Sequence, residues 1–180
     1  MSSWNFVFAG FGGQGILFTG KVVAYTGMME GREVSWLPSY GPEMRGGTAN
    51  CSVCLSDTPV ASPLVLEPNA LVVMNNPSFE KFIGTVTPGG YAAIDSSLVT
   101  AETDRKDIQA LYIPATKLAQ ENGLQGLANM IMLGGLLKAT GFTTLESLQV
   151  GLAKCVPPSK QHLMEPNLRA VRMGMEQVSL

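Results

Sequence analysis

The stretch that decides the fold is Asn5-Phe-Val-Phe-Ala-Gly-Phe-Gly-Gly-Gln-Gly15, which is followed by the apolar segment Ile16 to Met28. The run from Asn5 to Ala9 predicts a strand, the glycines predict a turn, and the segment after them predicts a helix. Glycine permits positive φ and close approach of the backbone to a ligand, and the first N–H groups of a helix have no partner within it. The stretch therefore predicts a strand–turn–helix unit whose turn can bind an anion.

Gly10, Gly12 and Gly15 complete the pattern G-x-G-x-x-G, but two functions associated with such turns lack their other residues. A dinucleotide site needs an acidic residue at the end of the second strand, and the segment Val34 to Ser39 contains none. A phosphate loop needs Lys and then Ser or Thr directly after the last glycine, whereas Lys21 comes six residues after Gly15. Two interpretations remain: an anion-binding turn, or glycines that only let a strand and a helix pack closely.

The composition of the chain limits the kind of protein that can contain this turn. The chain has 180 residues, of which 46% are hydrophobic and only 14% charged, and soluble domains usually contain about 25% charged residues. We expect one domain spanning residues 1–180, with part of its surface covered by a partner. A net charge of −2 without a basic cluster argues against nucleic acid. The absence of a long apolar run and of a signal-peptide pattern predicts a cytoplasmic protein without a membrane span.

The cysteine pattern does not indicate a metal site within this chain. Cys51 and Cys54 form C-x-x-C on a predicted strand, Thr48 to Leu55, where residues three apart point to opposite faces. No second pair follows, Cys155 is distant, and the single histidine is His162. An odd number of cysteines fits a reducing compartment, and we expect the pair to serve as small buried apolar side chains.

A second loop, Ser39-Tyr-Gly-Pro-Glu-Met-Arg-Gly-Gly-Thr48, follows the predicted second strand. Three glycines and a proline exclude regular structure there. The carboxyl edge of a parallel sheet is where ligands bind, so we expect this loop to face the first glycine turn. Arg45 is then an anion contact or an interface ion pair, or else a solvated side chain on a loop.

The remaining segments predict an α/β fold. The apolar runs Ala70 to Met74, Tyr91 to Ile94 and Ala110 to Ile113 are typical of buried parallel strands. The last third is helical, and its segment Leu127 to Leu137 is apolar on nearly every face. We predict a Rossmann-like three-layer open, mostly parallel sheet with helices on both faces and a helical C-terminal third.

The apolar helix contains one polar residue and a pair of glycines, which are unusual in a buried helix. Asn129 would be buried and requires a hydrogen-bond partner. Gly134 and Gly135 each cost about 1 kcal/mol relative to alanine within a helix. We therefore expect a neighbouring element to pack closely against the two glycines.

Three motifs together resemble the gamma subunit, or gamma domain, of 2-oxoacid:ferredoxin oxidoreductases. These are Phe8-Ala-Gly-Phe-Gly-Gly-Gln-Gly15, Ser39-Tyr-Gly-Pro-Glu-Met-Arg-Gly-Gly47 and Asn129-Met-Ile-Met-Leu-Gly134. The family includes enzymes for pyruvate, 2-oxoglutarate, 2-oxoisovalerate and indolepyruvate. The resemblance implies oxidative decarboxylation of a 2-oxoacid to an acyl-coenzyme A, with electrons passed to ferredoxin.

The resemblance also implies a division of labour between subunits. Thiamine diphosphate, Mg²⁺ and [4Fe-4S] clusters belong to thiamine-binding alpha and beta subunits and a ferredoxin-like delta subunit. The gamma part contributes to the coenzyme A site and holds no cofactor alone, so the isolated chain is expected to be inactive. No catalytic residue is assigned to it. The cofactor-binding residues carried over from the family motifs are Gly10, Gly12, Gly13, Gln14, Gly15, Ser39, Tyr40, Glu43 and Arg45.

One departure and two alternatives qualify this interpretation. Fused pyruvate enzymes often carry lysines where Glu43 and Met44 stand here, and a carboxylate at Glu43 would repel a phosphate. A nucleotide-binding Rossmann-type reductase would need the acidic residue that the second strand lacks. A scaffold subunit without a ligand would keep the partners and lose the coenzyme A site.

Overall fold

The computed structural model describes residues 3–39 and 48–179. Its strands are β1 Trp4–Phe11, β2 Glu33–Ser39, β3 Thr48–Ser56, β4 Ala70–Val73, β5 Tyr91–Asp95 and β6 Gln109–Ile113. Its helices are α1 Ile16–Met29, α2 Asn76–Phe82, α3 Ala115–Glu121, α4 Ala128–Thr140, α5 Leu145–Cys155 and α6 Met164–Glu176. Two 3₁₀ segments cover Ile83–Thr85 and Pro158–Leu163. No helix in these two ranges is long and apolar enough to span a membrane.

The six strands form one open sheet in the order β2-β3-β1-β4-β5-β6. β1, β4, β5 and β6 pair in parallel, whereas β3 is antiparallel to both β1 and β2. Five strands therefore run in one direction, and their carboxyl ends share one edge of the sheet. The predicted mostly parallel sheet is confirmed.

Side chains alternate between the two faces of the sheet. Phe6 and Phe8 of β1 lie in a core with residues of α1, α3, α4, α5 and α6. Val7 and Ala9 point the other way and pack with Phe79 of α2. Helices thus cover both faces, which confirms the predicted Rossmann-like α/β fold.

Helix α4 is buried on all sides, as its sequence predicts. Every residue from 129 to 137 is buried. A Cβ on Gly134 would overlap the carbonyl oxygen of Val171 in α6, and a Cβ on Gly174 would overlap the carbonyl oxygen of Ile131. The expected close neighbour of Gly134 is therefore α6, and the two helices touch through glycine. The close neighbour of Gly135 is β6, because a Cβ there would overlap Cδ1 of Ile113.

The two cysteines of C-x-x-C lie on opposite faces, as predicted. The Cys51 thiol donates to the carbonyl oxygen of Ile16 at 3.7 Å, on the α1 side, and the Cys54 thiol donates to that of Ser62 at 3.7 Å. Burial raises the pKa of Cys51 to about 12. Within the described ranges, no group of three or more His, Cys, Asp or Glu side chains is placed to hold a metal ion.

Candidate anion-binding site

The glycine turn joins the end of β1 to the start of α1. Gly13 has a φ of 92° and Gly15 has a φ of 75°, so both occupy the left-handed region that other residues rarely adopt. Gln14 N–H donates to the carbonyl oxygen of Phe11 at 3.2 Å and closes the turn. Gly15 is the N-cap of α1, and no side chain caps the helix.

Several backbone donors of this turn are free. The N–H groups of Gly12, Gly13, Gly15 and Ile16 make no hydrogen bond to the described part of the chain. They lie at the positive end of the α1 dipole, where negative charge is stabilised. The turn therefore offers a set of donors for an anion.

Gly13 lies between two cavities. The α3-side cavity, of about 230 Å³, is lined by Gly13, Gln14, Met74, Leu98, Thr116 and Gln120 among others. The β3-side cavity, of about 270 Å³, is lined by Gly12, Gly13, Phe11, Leu17, Phe18 and Ala49 among others. The described lining of both cavities carries no charged side chain. A Cβ on Gly13 would meet no atom of the described residues within 4 Å, so no described side chain fills the space beside it.

The Gln14 side chain is bound to the protein at both ends. Its Oε1 accepts from Phe11 N–H at 2.6 Å, and its Nε2 donates to the carbonyl oxygen of Met74 at 3.0 Å. A Cβ on Gly10 would come within 2.6 Å of that Oε1, so glycine at this position makes room for the bond. Gln14 thus ties the turn to the end of β4, and a contact between its side chain and a phosphate stays a prediction.

The carbonyl oxygen of Gly15, the N-cap of α1, accepts three hydrogen bonds. The Gly15 oxygen accepts from Thr19 N–H at 3.0 Å, from Thr19 Oγ1 at 3.0 Å and from Asn129 Nδ2 at 3.1 Å. Asn129 Nδ2 also donates to Thr19 Oγ1 at 3.0 Å. The predicted need of Asn129 for a partner is therefore met by the glycine turn.

The second loop is described only at its ends. Thr48 pairs with Phe11, and Ser39 pairs with Asn50, so both ends lie on the sheet edge that carries the glycine turn. Ser39 lines a third cavity of about 340 Å³ on the α2 face with Lys81, and neither cavity beside Gly13 includes it. The site residues predicted in this loop, Tyr40, Glu43 and Arg45, lie outside the described residues.

Comparisons with known proteins identify the family. The family model described as pyruvate ferredoxin/flavodoxin oxidoreductase matches residues 5–177. The chain belongs to this family. The 2-oxoglutarate synthase subunit KorC of Methanocaldococcus jannaschii is 33% identical over 171 residues, which cover 93% of this chain and 90% of that subunit. The resemblance to gamma subunits is confirmed.

Other family members differ in length. The ketoisovalerate oxidoreductase subunit VorA of Methanothermobacter thermautotrophicus is 40% identical over 170 residues, and the chain spans only 35% of its length. The crystal structure of a keto/oxoacid ferredoxin oxidoreductase gamma subunit from Geobacter sulfurreducens matches with a TM-score of 0.86 and 27% identity, over 98% of this chain and 97% of that one. A 2-oxoglutarate:ferredoxin oxidoreductase from Magnetococcus marinus shares the fold, with a TM-score of 0.86 at 22% identity over 99% of this chain and 32% of that one.

Sequence reasoning missed the residues that support the turn from a distance. The carbonyl oxygen of Met74 accepts from Gln14 Nε2, and Thr116 lines the α3-side cavity beside the turn. The one available signal was Asn129, a polar residue in an apolar helix. That signal indicated a hydrogen bond without naming the partner.

Proposed function

We propose that this chain is the gamma subunit of a 2-oxoacid:ferredoxin oxidoreductase and that its glycine turn binds the phosphate groups of coenzyme A. The observation that carries the proposal is the row of N–H groups at the start of α1 that have no partner among residues 3–39 and 48–179, beside a Gly13 whose Cβ position meets none of those residues. The near full-length match to KorC supports the role as a separate subunit. We also propose that residues 1–180 form one domain.

The residues at the turn fit this ligand. Free backbone donors at a helix start suit a pyrophosphate, which needs no side-chain charge when the dipole is favourable. The described lining of the cavities on both sides of Gly13 carries no charge, and it suits the less polar parts of coenzyme A. The solved structure of the Magnetococcus enzyme has coenzyme A bound. When bound, coenzyme A supplies the thiol that accepts the acyl group, and this chain binds and orients it.

The other components are proposed to lie in partner subunits. Thiamine diphosphate with Mg²⁺ and the [4Fe-4S] clusters would be held by alpha, beta and delta subunits, with ferredoxin as electron acceptor. The family resemblance supports this assignment, as does the lack of metal-binding side-chain groups in the described ranges. Free cysteines fit the reducing cytoplasm, where we place the enzyme.

The surface of the chain supports partner binding. Leu66 is 72% exposed, Met28 57% and Leu64 54%. Large apolar side chains of this kind are typically covered at an obligate subunit interface. We propose that partner subunits cover them in the assembled enzyme.

The test replaces Gly13 with valine in the assembled enzyme. The new side chain would enter the open space between the two cavities, and it would also strain the backbone at positive φ. We expect the KM for coenzyme A to rise about tenfold or more, which corresponds to a loss of about 1.4 kcal/mol of binding free energy. The KM for the 2-oxoacid should stay unchanged.

Gly31→Val is the matched control. Gly31 has a φ of 75° and no atom of the described part of the chain within 4 Å of its Cβ position, but it lies after α1, away from the turn. The backbone strain should be similar without an effect on coenzyme A. If Gly13→Val and Gly31→Val give the same KM for coenzyme A, the turn is not its site, and a scaffold role for the subunit is favoured.

A further inference from the structure

We infer that Asn129 is a positioning residue, which aims the first free N–H of α1 at the anion. The inference rests on the proposed function, because it concerns the same coenzyme A site. Asn129 lies in α4, and its sequence separation from Gly15 is 114 residues. It does not line either cavity beside Gly13, so its effect on a ligand there is indirect.

The contact is made through the Gly15 carbonyl group. Asn129 Nδ2 donates to this oxygen at 3.1 Å and to Thr19 Oγ1 at 3.0 Å, while Thr19 Oγ1 donates to the same carbonyl oxygen at 3.0 Å. The three groups form a closed triangle of hydrogen bonds. A carbonyl held from two directions cannot rotate without breaking at least one of these bonds.

The direction of this carbonyl sets the direction of the next N–H. The peptide between Gly15 and Ile16 is trans and planar, so its N–H points opposite to its C=O. The Gly15 oxygen points into the helix, and Ile16 N–H therefore points out of it, towards the turn. Hydrogen bonds donated to the carbonyl oxygen also polarise the peptide group. This polarisation strengthens the N–H of the same peptide as a hydrogen-bond donor.

Asn129 can hold this geometry because it is itself fixed. It is 3% exposed, its neighbours Met130 and Ile131 are fully buried, and α4 is in close contact with α6 through glycine. A Cβ on Gly15 would come within 2.5 Å of Asn129 Nδ2, so glycine at this position also makes room for the amide. Glycine is thus needed at Gly15 for both conformation and space.

Asn129→Leu removes the donor at nearly constant volume. In the assembled enzyme we expect the Kd for coenzyme A, measured by calorimetry, to rise about five- to tenfold, the value of one lost hydrogen bond. The KM for coenzyme A should rise similarly, while kcat and the KM for the 2-oxoacid stay unchanged. This pattern separates positioning from a general loss of structure.

Asn167→Leu is the control. Asn167 is 4% exposed, its Nδ2 donates to the carbonyl oxygen of Leu163 at 2.8 Å, and it lies in α6. In both asparagines, Oδ1 has no partner among the described residues. The control should lose comparable stability and keep the wild-type Kd. Should Asn129→Leu fail to assemble, Thr19→Val removes another bond of the triangle and should raise the Kd in the same direction.

The outcomes separate this inference from the proposed function. If the wild type binds coenzyme A and Gly13→Val abolishes binding, but Asn129→Leu and Thr19→Val retain the wild-type Kd, only the positioning role is wrong. An equal rise in Kd for Asn129→Leu and Asn167→Leu would also overturn it. If Gly13→Val leaves the Kd for coenzyme A unchanged, the proposed coenzyme A site is wrong, and the positioning role of Asn129 is wrong with it.

Discussion

Gln14 shows how a residue at a ligand site can serve the site through the backbone. Its side chain links Phe11 N–H to the carbonyl oxygen of Met74. We expect Gln14→Ala to leave the fold intact but to lower the free energy of unfolding by about 1 kcal/mol, because two hydrogen bonds are lost at a partly exposed position. Urea denaturation of the purified chain measures this change.

Gln120→Ala is the comparison for Gln14→Ala. Gln120 lines the same α3-side cavity, and its exposed side chain makes no hydrogen bond within the described ranges. The free energy of unfolding of Gln120→Ala should stay within about 0.5 kcal/mol of the wild-type value. Equal losses for the two variants would mean that the bonds of Gln14 contribute nothing.

Cys51 makes a second residue-scale prediction, which concerns alkaline pH. Burial raises its pKa from an ordinary value near 9 to about 12, so the folded chain keeps the proton that the unfolded chain loses. The resulting stabilisation is complete below about pH 9 and is lost as the pH rises towards about 12. Between these pH values, the free energy of unfolding of the wild type should fall by up to about 1.4 kcal/mol more per pH unit than that of Cys51→Ala.

Urea titrations at pH 8, 9 and 10 measure the difference in slope. Cys155, whose pKa burial raises to about 11, remains in both proteins, so its contribution cancels. Parallel stability curves for the wild type and Cys51→Ala would contradict the prediction.

At the scale of elements, the contact between α4 and α6 depends on two glycines. A Cβ on Gly134 would overlap the backbone of Val171, which cannot move aside as a flexible side chain would. We expect Gly134→Ala to destabilise the chain by about 2 kcal/mol, despite the better helix propensity of alanine. Thermal unfolding followed by circular dichroism measures this loss of stability. Gly84→Ala is the control, because a Cβ there meets no atom of the described residues within 4 Å.

The elements also show what the sequence could predict. The apolar runs and the glycines between them located the six strands and helices α1 and α4 to within a few residues, because periodicity and turn chemistry are local properties. The antiparallel direction of β3 was not predicted, since an apolar run does not specify which neighbour it pairs with. The bonds of Gln14 to Met74 and of Asn129 to Gly15 join distant residues, so no local pattern could reveal them.

At the scale of the whole molecule, the chain is expected to be one part of an enzyme. The purified chain should show no 2-oxoacid-dependent reduction of methyl viologen, because the proposed thiamine and cluster sites lie in other subunits. Adding the partner subunits should restore activity that depends on coenzyme A. Turnover by the chain alone, at a rate proportional to its concentration, would contradict the proposal.

The place of α4 between the sheet and α6 has a consequence for synthesis on the ribosome. All six strands emerge before α4, α5 and α6, the helices that complete the larger core. Until then, the face that carries Phe6 and Phe8 is covered only by the earlier helices α1 and α3, and the part that the later helices cover stays exposed. Growing chains with exposed apolar strands are prone to aggregate. Nascent copies of this chain should therefore depend on chaperones until α6 has left the exit tunnel.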